Sequence, residues 1–210
     1  VHRCEAWSEA QPAVTDPLPD PFAGQPDWAP LPPRPIEVVP ASDRVELRGR
    51  RVLVGQPGLG WRGDLRADDR VIQGSRTYVP VLPEHEWYRA EADQVEVFAP
   101  LVPVDRVWVE TVGVRPELAL PEADRLVSLD GPAHRAPAPV FEADSVAGRR
   151  VVHVVDAVEH RDLRAVTETY SSAEGDICVR VTPEVEWYRW AWRGQAPTTL
   201  EVPVHLLWVE

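Results

Sequence analysis

The chain has no lysine, no asparagine and no methionine, and only two cysteines, Cys4 and Cys178. Without lysine, every basic side chain is an arginine, and carboxylates outnumber them to give a formal net charge of -12. An acidic chain with scattered arginines is a poor electrostatic match for a phosphate backbone, which argues against nucleic acid as a partner. The abundance of Ala, Val, Pro, Arg and Glu is the pattern that GC-rich codons produce, pointing to a bacterial source. Two distant cysteines give neither a disulfide framework nor a cysteine metal site. No apolar run is long enough for a membrane helix. The first residues lack the basic-then-apolar layout of a secretion signal, so a cytoplasmic location is expected.

Signatures of catalysis are also missing. No Ser-His-Asp or Cys-His pattern stands in a recognisable context. The glycine-rich stretch Gly55-Gln56-Pro57-Gly58-Leu59-Gly60-Trp61-Arg62-Gly63 lacks the Lys-Ser/Thr end of a phosphate loop, and no helix is expected after it. A non-enzymatic protein with no cofactor is the expectation, with a small metal-dependent hydrolase as a lesser alternative.

What the chain does have is an internal duplication. Pro83-Glu84-His85-Glu86-Trp87-Tyr88-Arg89 recurs as Pro183-Glu184-Val185-Glu186-Trp187-Tyr188-Arg189. Upstream, Gly49-Arg50-Arg51-Val52 recurs at 148–151, and Asp64-Leu65-Arg66-Ala67 at 162–165. Downstream, Val102-Pro103-Val104 recurs at 202–204, and Trp108-Val109-Glu110 at 208–210. Anchors repeated in one order define two modules of about 60 residues, a size close to the lower limit for a self-sufficient core, so the modules are expected to pack on each other. The boundaries read as a Pro-rich acidic leader (1–46), a first repeat (47–110), a Pro/Ala-rich linker (111–147) and a second repeat (148–210). The leader segment Pro30-Leu31-Pro32-Pro33-Arg34-Pro35 is out of register for a PxxPx+ ligand.

Within the modules the signals are those of strands. Val79 and Val81, with Val179 and Val181, alternate with other residues and mark a core face. The EWYR stretches read as strands too, with Tyr88 and Tyr188 inward and Trp87 and Trp187 outward beside Arg89 and Arg189. In the last strand, Val107 and Val109 (Leu207 and Val209) read as inward, Trp108 and Trp208 as outward. Each module ends on a strand, a short Pro-Val turn and a final strand. That ending resembles SH3-like small barrels, in which a 3₁₀ turn separates the last two strands. The resemblance implies an all-β fold of two tandem SH3-like small barrels joined by Pro-rich segments, in a class that binds peptides, proteins or nucleic acids.

Exposed aromatics flanked by arginine are common interface anchors. The expected binding surface is therefore Trp87, Arg89, Trp108, Trp187, Arg189 and Trp208, with Trp61 on the glycine-rich loop, and the expected partner is a protein. A KOW- or Tudor-like nucleic-acid factor is the alternative. The pairs Glu84/Glu86 and Glu184/Glu186 read as solvated strand entrances, or as partners of Arg89 and Arg189. His153, Asp156, Glu159 and His160 carry metal-ligand chemistry, but the first copy has no counterpart, so no metal is expected.

Overall fold

The structure is a computed structural model that describes residues 30–56, 58–115 and 131–210. Most of the leader, including Cys4, and the middle of the linker lie outside these residues. Module one comprises β1 (Ile36–Pro40), β2 (Arg51–Gln56), β3 (Gly60–Ala67), β4 (Val71–Gln73), β5 (Arg76–Pro83), α1 (Glu84–Asp93), β6 (Leu101–Pro103) and β7 (Val107–Val112). Module two repeats the series as β8 (Ala138–Pro139), β9 (Arg150–Val155), β10 (Val158–Ala165), β11 (Tyr170–Ser171), β12 (Ile177–Pro183), α2 (Glu184–Arg193), β13 (Leu200–Pro203) and β14 (Leu207–Val209).

Each module is one curled antiparallel sheet, and the two sheets share a topology. The first runs β1-β7-β2-β3-β5-β4, with β6 also on β5; the second runs β8-β14-β9-β10-β12-β11, with β13 also on β12. The class is all-β, and short 3₁₀ turns at Val104–Arg106 and Val204–Leu206 separate the last two strands of each module. Both Pro-rich lead-ins supply an edge strand, β1 against β7 and β8 against β14. Proline is tolerated there because an edge strand leaves backbone donors unused. The valines expected inside are inside: Val79, Val81, Val107 and Val109 join Val52, Val54 and Leu65 in one core, and Val179, Val181, Leu207 and Val209 join Val151 and Val140 in the other. No helix among the described residues is long and apolar enough to cross a membrane.

The EWYR stretches, expected as strands, are helices. Four features of the local sequence favour a helix. A proline precedes each start, and its φ near -55° leads into a helical turn without needing an N–H. Glu84 and Glu86, like Glu184 and Glu186, fall in the first turn, where carboxylates favour the helix dipole. Gln94 and Gly194 end the helices in the left-handed conformation. Finally, Glu84, Trp87 and Tyr88 stand at i, i+3 and i+4, one helical face. The apolar alternation of Tyr188, Trp190 and Trp192 mimics a strand, but ten residues between a proline and a left-handed cap suit a helix better.

Candidate functional site: a charge network shared by both modules

The repeated anchors converge at the junction of the modules. Glu84 and Glu184 open the two helices with their carboxylates turned to the junction, and each is only 1% exposed. Arg66 on β3 donates to Glu84 through Nε at 3.1 Å, and to Glu184 of the other module through Nη2 at 2.9 Å. Arg164 on β10 does the reverse, reaching Glu184 at 3.0 Å and Glu84 at 3.1 Å. Tyr88 donates its hydroxyl to Glu184 at 3.1 Å, and Tyr188 donates to Glu84 at 2.9 Å. The two phenol rings stack across the boundary with centroids 5.2 Å apart. A second arginine pair closes the set. Arg51 lies 2.6 Å from Glu184 and 3.3 Å from Glu84, and Arg150 lies 3.5 Å from Glu184 and 3.4 Å from Glu84. Glu210 receives Arg51 at 3.4 Å and Glu110 receives Arg150 at 3.2 Å. The contacts are reciprocal, as in a two-fold interface between identical subunits, here made within one chain.

Backbone geometry sets these side chains. Asp64 and Asp162 sit at bulges in β3 and β10, with φ of 55° and 60°. A bulge re-aims a side chain. Asp64 thereby reaches Arg150, and Asp162 reaches Arg51 at 2.7 Å, both across the boundary. Gly49 and Gly148 adopt φ of +74° and +79°, and their carbonyls accept from Arg66 and Arg164 at 2.8 and 2.9 Å.

The electrostatics follow from burial and crowding. Burial on its own would raise the Glu184 pKa, but the charges of Arg51, Arg164 and Arg150 outweigh it and hold the carboxyl down at about 2. Burial, followed by the facing carboxylate, pushes both tyrosine hydroxyls up, so each stays protonated as a donor. Because the folded-state pKa of Glu184 lies below its ordinary 4.5, its contribution to stability is full above pH 4.5 and is lost as pH falls through about 2. Chemical denaturation at stepped pH should show stability declining across that window. A stability that stays level there would contradict the assignment of Glu184 as an ionised hub.

Chemically, the arrangement locks rather than reacts. Each inner carboxylate is held by guanidinium groups and a phenol, and each of the four arginines binds carboxylates of both modules. Of the glutamates read as solvated strand entrances, Glu84 and Glu184 are buried and pair with Arg51, Arg66, Arg150 and Arg164, whereas Glu86 is exposed and Glu186 pairs with Arg189 as one of the two expected options. Arg89 instead lies 3.6 Å from Asp93, and Arg189 pairs with Glu186, both within their own helices.

The expected tryptophan surface is also revised. Trp87, 9% exposed, is buried at the α1–sheet junction beside Gly49, because the helix turns position 87 toward the sheet where a strand would have turned it out. Trp187 is half-buried beside Gly148. Trp208 is buried with Val152 and Val154 on the outer face of its sheet, and Trp108 is half-buried. Trp61 is 40% exposed, lying over Gly55 and edge-on to Trp108 at 6.0 Å. Of the histidine cluster, His153 and His160 meet across β9 and β10 with ring centroids 5.8 Å apart. Burial and then His160 lower the His153 pKa. Glu159 turns elsewhere and binds Arg34 and Arg161, and Asp156 occupies the hairpin turn. Among the described residues no group of three or more His, Cys, Asp or Glu is placed to hold a metal ion. Cys178 is free and buried.

The sequence marks Glu84, Tyr88 and their counterparts within each copy but does not join them to Arg51, Arg66, Arg150 and Arg164, yet a signal is present. Arg51, Asp64, Arg66, Glu84, Tyr88 and Glu110 are each identical in the second copy. Charged residues kept identical between copies at positions that would otherwise be solvated point to a shared contact.

Comparison with known families, with curated proteins and with solved structures returns no match.

Proposed function

We propose that the chain is a non-enzymatic protein-binding scaffold whose two small β modules act as one rigid platform. The observation that carries this reading is the reciprocal Glu84/Glu184 network. Arg51, Arg66 and Glu84, with their counterparts Arg150, Arg164 and Glu184, are committed to fixing the modules against each other, so recognition falls to surfaces where the copies differ. Exposed apolar side chains there include Leu59 and Trp61 on the β2–β3 hairpin and Val95 and Phe98 after α1. The 3₁₀ turns before the last strands support the SH3-like character of the modules, a class suited to peptide and protein recognition.

The test is a peptide-display selection against the immobilised intact chain, followed by titration of the selected sequences in solution. The reading expects saturable binding that competes between related sequences. It fails if no selected sequence titrates specifically.

A further inference from the structure

Helices α1 and α2 begin alike and end differently, and the difference opens a groove. After the shared EWYR, module two has Trp190 where module one has Ala90. Trp190 packs edge-on against Trp187, with ring centroids 5.6 Å apart. Over the equivalent Trp87, Ala90 leaves a groove of about 780 Å³. Its floor includes Trp87, Leu82 and Ala90, and its wall is the segment after α1, with Val95, Phe98 and Leu101. Phe98 on that wall is 89% exposed, an unusual state for a phenylalanine.

We infer that this groove docks a basic peptide segment of a partner protein through an aromatic side chain, which takes the place that Trp190 fills in module two. The inference rests on the protein-binding reading above and gives it a site. The aromatic anchor follows from the duplication, since the same scaffold already seats an indole beside the second copy of this tryptophan. The basic character follows from the rim. Asp68, Glu91 and Glu96 line it against the single guanidinium of Arg48, which is itself bridged to Glu91 at 3.3 Å and to Asp68 at 3.8 Å. The same charge disfavours the chain's own segments as occupants. Residues 1–29 carry five carboxylates (Glu5, Glu9, Asp16, Asp20, Asp27) against Arg3, and residues 116–130 carry four (Glu117, Glu122, Asp124, Asp130) against Arg125. Like charges facing each other at a contact select against it.

The experiment titrates the intact, isotope-labelled chain with three short synthetic peptides, following backbone amide and indole N–H resonances. The first has a central Trp flanked by Arg, the second replaces Trp with Ala, and the third replaces Arg with Glu. The Arg-Trp peptide should shift residues 94–101 and the Trp87 indole, and each control should bind about tenfold more weakly or worse. Ala90→Trp, which copies module two into module one, should abolish those shifts while leaving the rest of the spectrum in place. If Ala90→Trp fails to fold, Glu96→Arg and Glu91→Arg serve instead and should weaken the Arg-Trp peptide and favour the Glu-flanked one. No binding by the Arg-Trp peptide at millimolar concentration overturns the inference. So does broadening of the groove resonances by a spin label on Cys4, which would place the leader there, or a concentration-dependent shift without peptide, which would place a second copy there. Peptide shifts centred on Trp61 and untouched by Ala90→Trp would remove the groove but leave the protein-binding reading standing. If neither these peptides nor any display-selected sequence binds, both fall.

Discussion

Replacing Glu184 by glutamine should destabilise the protein by about 3–5 kcal/mol, the range seen when one partner of a buried ion pair is removed. Glutamine keeps the shape of the side chain and removes the charge. Arg51, Arg66, Arg150 and Arg164 then face one inner carboxylate, Glu84, where they had two. The amide N–H₂ also presents donors where Arg66 and Tyr88 already donate. Urea denaturation measures the loss directly. A change below about 1 kcal/mol would mean that water screens the hub as it screens surface pairs. The partner substitution, Glu84→Gln, should not add independently, because both carboxylates bind the same arginines. A double-mutant cycle reads that coupling. A large loss on truncation does not make the network a net source of stability, since bringing charges out of water is costly in itself. Its clearer contribution is geometric: the charges are satisfied together only when the modules meet in one orientation.

Trp87→Ala should cost about 3–5 kcal/mol, the usual range for truncating a buried tryptophan. The ring occupies the junction between α1 and the sheet of module one, and alanine would leave a void that neighbouring Gly49 cannot fill. Thermal or chemical denaturation checks this. Trp61→Ala on the exposed hairpin provides the contrast, with an expected loss nearer 1 kcal/mol, because much of that ring already meets water. Equal, small losses at the two positions would restore the outward placement that strand alternation suggested for Trp87.

The strands were legible because period-two alternation is a strong local signal. Val79, Val81, Val107 and Val109 announced their face, and the duplication confirmed the register by repeating it. The helices resemble strands in sequence for an equally local reason. A short apolar alternation fits a strand, whereas the proline before each helix, the acidic first turn and the left-handed cap after it are weaker marks that must be weighed together. The difference bears on the site, since a strand puts Tyr88 and Trp87 on opposite faces while a helix sets them 100° apart, one toward the partner module and one toward the sheet. The hub itself joins residues separated by more than 100 positions, such as Arg51 and Glu184. No periodicity within a segment reports such a contact. Only the comparison of the two copies with each other carried a trace of it.

The sharing of each inner carboxylate between modules has a consequence for how the chain can change over generations. Duplication ordinarily supplies a spare, free to drift while the original keeps working. Here neither copy is spare on the joined side, since an altered Arg66 is felt by Glu184 in the other half as much as by Glu84 in its own. Compensation for damage in one half is therefore as available in the other half as at home. Drift shows where no inner carboxylate is shared, as at Ala90 and Trp190, which have already parted company.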